Sequence, residues 1–209
     1  MKVRAYVIAT DAGSAPNYDP PCTTLAVCKP RIRQAASIGD LVLAYAGSNV
    51  NPHDPHAVVW AGVVSEKLTF AEYWTDQRFQ TKKPERSPTP DNFYRPVDGG
   101  LLQVPNRVHG PEHFNRDTGG LYVLAFDPSW RFGAHGPRMP TEFGLQIPMT
   151  ARRAGRVAEL THAGWLQLET WLNEQELLSV PGLARPSGRR RCRPPSPRHL
   201  ERPPRKPHC

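Results

Sequence analysis

The residues whose types could do chemistry fall into a few small groups. His109 and His113 stand at i and i+4 with Glu112 between them, the spacing of a helical metal pair. Gly110 and Pro111 break the helix such a pair needs, and no glutamate follows His109 directly, so no metal site is expected. Cys22 and Cys28 miss the short spacing of paired zinc thiolates. Either sulfur could act as a nucleophile if a cation such as Lys29 favoured the thiolate; the plainer expectation is an inert, half-buried thiol. Asp11, Asn17, Cys22, Tyr94 and His109 lie in two long polar loops. An acid–base group from Asp11, Asn17 and His109 requires the fold to join those loops. The chain carries no phosphate-cradling loop, dinucleotide fingerprint or hydrolase elbow, and no cofactor is expected.

A second set suits binding. Lys29, Arg31 and Arg33 alternate in "CKPRIR", which on extended chain puts three cations on one side, able to hold phosphate oxygens. A helix beginning at Pro30 would spread them instead. Among the aromatic residues Tyr6, Tyr45, Trp60, Tyr73, Trp74 and Tyr94, Tyr45 and Trp60 fall in strong strands where either could stack on a base. Core packing is the simpler fate for most of the set. Tyr94, in the polar loop with Asp91 and Asn92, is the one packing explains least.

The net charge of +8 points to nucleic acid at first sight. Its placement says otherwise, since nine of the 27 Lys and Arg lie between Arg185 and Cys209 against a single acid, Glu201. Residues 1–184 are therefore neutral, with 18 charges of each sign. Residues 185–209 hold seven prolines and Leu200 as their one large aliphatic side chain, and the stretch 181–209 reads as a disordered basic tail able to hold phosphates without specificity. The N-terminal apolar run is too short for a secretory signal, and no stretch reaches membrane-spanning length. A cytoplasmic protein with reduced thiols and no membrane partner is expected.

The elements that must position these residues are legible in outline. "VRAYVIA" alternates as a strand, "KPRIRQAAS" suits a short helix with Pro30 in its first turn, and "DLVLAYAG" follows the Gly39–Asp40 turn as a buried strand. "HAVVWAGVVSEKL" is the strongest strand, long enough to bend at Gly62. Thr69 and Glu72 form a capping-box pattern before "FAEYW". Residues 80–115 form a proline-rich loop too long to be idle; "GLYVLAF" resumes as a strand. Trp165, Leu168, Trp171 and Leu172 recur at helical spacing as a packing stripe. The sum is an α+β protein: one domain over residues 1–180, built as a small, bent mixed β-barrel with short peripheral helices and a C-terminal helix.

Several blocks occur together and in order: "APNYDPPCTTLAVCKPRIRQAASIGDLVLAYAGS", "VVWAGVVSEKLTFAEYWTDQRFQTKKP", "DNFYRP", "LQVPNRVHG" and "YVLAFDPSWRFG". Over residues 3–150 they resemble the second of the nucleotide-modification-associated domain families of bacteria and phages. More loosely, "IGDLVLAYAGS" followed by "VVWAGVVSE" is similar to EVE, ASCH and other PUA-like pseudo-barrels, whose pocket takes a flipped or unpaired base. The resemblance implies a part in DNA or nucleotide modification without supplying a reaction. It points first to a module that reads a modified or unpaired base in nucleic acid, with Lys29, Arg31 and Arg33 on phosphate and Tyr45 or Trp60 on the base. The alternative is an enzyme that makes or trims a modified nucleotide. A third possibility is a scaffold whose tail does all the binding. The oligomeric state is left open.

Overall fold

The computed structural model describes residues 1–10, 12–54, 57–145 and 155–179. Its frame is a six-stranded sheet of β1 (Lys2–Ile8), β2 (Thr23–Leu25), β3 (Leu41–Ala46), β4 (Val58–Thr69), β7 (Tyr122–Arg131) and β8 (Gly155–Glu159), in the order β2-β7-β4-β3-β1-β8. Only β1 and β3 run parallel, their registers matching Val3 with Leu41 through Ile8 with Ala46. Parallel neighbours need a crossover, and here it carries β2 and helix α1 (Pro30–Ala35).

β3 shows why both faces are covered. Leu41, Leu43 and Tyr45 enter one apolar cluster with Leu168 and Leu172 of α4 (His162–Ser179), while Val42, Ala44 and Ala46 enter another with Ile32 of α1. Every residue of β3 is buried, so it reads as a continuous apolar run rather than a half-polar one. The expected stripe on α4 is present: Leu168 and Leu172 are in the core, with Trp165 and Trp171 packed on its border. The expected bend in β4 is also present, as register shifts on either side of Val64 following Gly62.

The sheet stays open, with β2 and β8 at its ends, so the expected barrel is corrected to a two-faced mixed sheet. Closure requires the terminal strands to pair, and among the described residues β2 pairs only with β7 and β8 only with β1.

The long polar segment is also more structured than expected. Over β7 lies a third apolar cluster, with Phe70 and Tyr73 of α2 (Phe70–Thr75), Phe79, Phe93 and Tyr94. Helix α2 starts on the expected capping box, Thr69 and Glu72 bonding reciprocally. Downstream, β5 (Tyr94–Val97) and β6 (Gly100–Gln103) form a hairpin around Asp98 and Gly99, the latter at φ +82°. That Asp-Gly turn is a strong local hairpin signal; Pro96 and the short strands masked it. A 3₁₀ turn at Pro111–His113 then leads into α3 (Phe114–Thr118). Among the described residues no helix is long and apolar enough to cross a membrane.

Candidate functional site

The turn from β2 into α1 is unusual at its backbone. Cys28 and Lys29, neither of them glycine, take positive φ values of 55° and 44°. Such residues persist only where their surroundings over-determine them, and they cluster at functional sites. Three bonds hold this turn. The Cys28 N–H donates to Asp117 Oδ1 at 2.8 Å, Arg33 Nε donates to the Cys28 carbonyl at 2.8 Å, and Lys29 Nζ donates to the Val7 carbonyl at 3.0 Å. The other arms of the Arg33 guanidinium donate to the carbonyls of Tyr122 and Asp117. Arg33 is fully buried, and burial lowers its pKa to about 10 against the opposing pull of Asp117. Gly120 makes room for it: a Cβ there would stand 2.4 Å from the guanidinium carbon.

Against this turn the chain brings His109. An Asx turn sets its backbone, with Asn106 Oδ1 accepting from the His109 N–H at 2.8 Å. Its Nδ1 meets Asp117 Oδ2 at 2.5 Å, and its Nε2 lies 3.6 Å from Cys28 Sγ. Tyr94 donates its hydroxyl to the same Asp117 oxygen at 2.9 Å. Asp117 is fully buried while Cys28 is half-buried and carries a free thiol. Burial alone would lower the pKa of His109, yet its bonds to Asp117 and Cys28 outweigh it and raise the value to about 9. Burial would raise Asp117, but the bonds from His109, the Cys28 N–H and Tyr94 hold it below the usual carboxylate range.

The arrangement is a thiol, an imidazole and a buried carboxylate in line, the logic of an activated nucleophile with an oriented base. The same three side chains each offer a metal ligand atom, all within 4.8 Å of one another. Both Asp117 oxygens are already engaged by hydrogen-bond donors, so the carboxylate here serves to orient the imidazole. A cavity of about 550 Å³ borders His109, walled by Leu101, Leu102, Val104 and Phe114, with Gln103 also lining it.

The expected site residues meet different fates. Tyr94 and His109 are brought together. Asn17 is not with them; it is fully buried, taking Lys82 Nζ on Oδ1 at 2.6 Å and donating to the Thr89 carbonyl. Cys22 is disulfide-bonded and packs in the third apolar cluster, so the expectation of reduced thiols holds for Cys28 alone of this pair. Asp11 and the basic tail lie outside the described residues. Of the three cations, α1 spreads the set: Arg31 is exposed, Arg33 is buried as an internal clamp, and Lys29 sits over the Tyr6 ring with its pKa lowered by burial. Tyr45 and Trp60 are core residues. The Tyr45 hydroxyl donates to the Leu145 carbonyl, and Trp60 packs edge-on against Phe126. In this structure neither presents a face to a base. Asp117 was invisible beforehand, because its partnership with Cys28 spans 89 residues and no spacing rule reaches that far.

Fold and site together define a mixed α+β domain with a cysteine–histidine–aspartate site at the edge of an open sheet. The chain belongs to the family described as nucleotide modification associated domain 2, which it matches over residues 1–188. The domain is thus one associated with nucleotide modification. Neither a curated protein nor a solved structure matches the chain.

Proposed function

We propose that this domain is an enzyme in the processing of modified nucleotides, with Cys28 as a covalent nucleophile. The observation that carries this reading is the Cys28–His109–Asp117 line. Cys28 reacts as the thiolate, and the protonated His109 beside it supplies the proton that the leaving group needs. In the reaction, Cys28 Sγ forms a C–S bond to a carbonyl carbon, the bond to the leaving group breaks, and that group takes the proton from His109 Nε2. Water then attacks the thioester and gives a proton back to His109. The C–S bond breaks, the acid departs and the ion pair is restored. Asp117 keeps the imidazole oriented throughout, and Tyr94 and Arg33 position Asp117 and the nucleophile turn. The neighbouring cavity has the size of a small-ligand site, and its aliphatic and aromatic walls suit the flat face of a base. A second cavity of about 370 Å³ shares Pro105 and Asn106 with it and carries Arg86 and Arg107, which suits phosphate despite Glu85 on the same wall.

The test is turnover of a panel of pyrimidine nucleotides bearing amide or ester substituents, followed by mass spectrometry, beside alkylation of Cys28 by iodoacetamide. Expected is product formation that falls at least about 1000-fold in Cys28→Ala, with Cys28 alkylating faster than glutathione and slower after His109→Ala. Turnover that survives Cys28→Ala overturns the reading. The base-reading module ranks second. The exposed Arg31 beside the nucleophile turn favours it, and modification-dependent binding that Arg31→Glu abolishes, without turnover, would establish it instead.

A further inference from the structure

Gln103 ends β6 directly opposite Tyr94 on β5, and paired residues of an antiparallel ladder stand on the same face. Its Nε2 donates to the His109 carbonyl at 2.8 Å and to the Gly110 carbonyl at 3.3 Å. Carbonyls only accept, so this pair of contacts fixes which end of the amide is nitrogen. The Oε1 atom is thereby turned away from the His109–Gly110 backbone. It is buried, and among the described residues it has no hydrogen-bond partner. Acceptors buried without a partner are rare and call for an explanation. This one belongs to a residue that lines the cavity beside His109.

We propose that Gln103 Oε1 accepts a hydrogen bond from an N–H group of the substrate, which makes Gln103 the specificity-determining residue of the site and an amide or amine the substrate class it selects. The inference rests on Cys28 being the nucleophile. Gln103 is the group suited to this task on the hairpin side: Tyr94 spends its hydroxyl on Asp117, and the His109 carbonyl is taken by Gln103 itself. A site that offers a buried acceptor rejects a ligand without the matching donor, because the acceptor is then left dry and unpaired. An ester in place of an amide is such a ligand. The tether from Nε2 adds a positioning role, since it holds the segment that aims the His109 ring at Cys28.

The probes are paired haloacetyl reagents with and without N–H groups: iodoacetamide against methyl iodoacetate, and the longer iodoacetylglycinamide against iodoacetylsarcosine dimethylamide. In each, the Cys28 sulfur displaces iodide and forms a C–S bond. Rates at Cys28 are read by mass spectrometry and divided by those of glutathione. In the full chain, at least one N–H reagent is expected to be favoured by about tenfold over its partner. Gln103→Met, close in shape without the acceptor, should bring that preference to within about twofold of unity, whereas Gln103→Glu, which keeps an oxygen acceptor, should retain it. A tether alone would slow both members of a pair equally; an unchanged ratio in Gln103→Met therefore overturns the proposal. So does a wild-type ratio equal to that of glutathione, which needs no variant to fold. If Cys28 reacts with none of the reagents faster than glutathione, it is the nucleophile reading that fails.

Discussion

Asp91 and Asp117 are both buried carboxylates in polar networks, and the two networks do opposite things. Asp91 takes the hydroxyls of Thr24 and Tyr73 at 2.7 Å each. Close by, Lys82 is buried with its ammonium on Asn17, and Asp91 acts on it by charge. There burial wins, raising Asp91 and lowering Lys82 to about 8. At Asp117 the hydrogen bonds win. An imidazole at 2.5 Å, a backbone N–H and a phenol offset the same burial and hold the carboxylate ionised. The Asp91 network is shut inside the domain, with Lys82, Asn17, Asp91 and Tyr73 at most 1% exposed. The Asp117 network ends in a half-buried thiol, and its histidine borders a cavity. Buried charge alone is thus no mark of a site. What separates the two is whether the line of bonds terminates on a group that can react.

The contrast can be broken in graded ways. The largest effect belongs to Asp91→Ala. It removes the acceptor of two buried hydroxyls and a carboxylate that acts on the buried Lys82, and should cost about 3–5 kcal/mol of stability. The alkylation rate of Cys28, measured well below the melting temperature, should not change. A large drop in that rate would mean that the networks are coupled. Gly120→Ala should come next, costing about 1–3 kcal/mol as the methyl group displaces the Arg33 guanidinium. Here the alkylation rate should shift with stability, because Arg33 holds the Cys28 carbonyl. A neutral Gly120→Ala would show that the clamp is dispensable.

The smallest effect is a pH slope, and its sign differs between the networks. His109, raised to about 9 among Asp117, Tyr94 and Cys28, binds its proton more tightly folded than unfolded. Its contribution is full below about pH 6.5 and is lost as pH rises through about 9. Lys82, lowered to about 8 by burial against the charges of Asp91 and Asp19, binds its proton less tightly folded than unfolded. It penalises the fold below about pH 8, and the penalty lifts as pH rises towards about 10.4. Denaturant melts of His109→Gln and Lys82→Met across pH 6 to 10 should therefore deviate from wild type in opposite directions. Deviations of the same sign would refute the assignment of the two networks.

Local rules carried the sequence reading far. The Thr69–Glu72 capping box, Pro30 at the start of α1, the buried run of β3 and the stripe of α4 depend on neighbours within a turn or a strand, and each is where the sequence puts it. Tyr94 was legible as the aromatic residue that packing explains least, and His109 as a member of an acid–base group that only folding could join. The same rules left open what burial decides. Arg33 is a cation by composition but an internal clamp by position, and Tyr45 and Trp60 were core residues all along. The hairpin had its Asp-Gly signal and was overlooked beneath the prolines.

By itself, the chain determined β1, β3, β4 and β7, the capping box of α2, its neutral body with a basic end, and the family it belongs to. Only the tertiary structure decided which cysteine faces His109, that Asp117 stands behind it, and that the sheet stays open. The physical reason is distance along the chain. A cap or an amphipathic stripe is settled by torsions and burial over a few residues. The Cys28–His109 contact closes a span of 81 residues, and no periodicity records which loops will meet when a sheet and its helices pack.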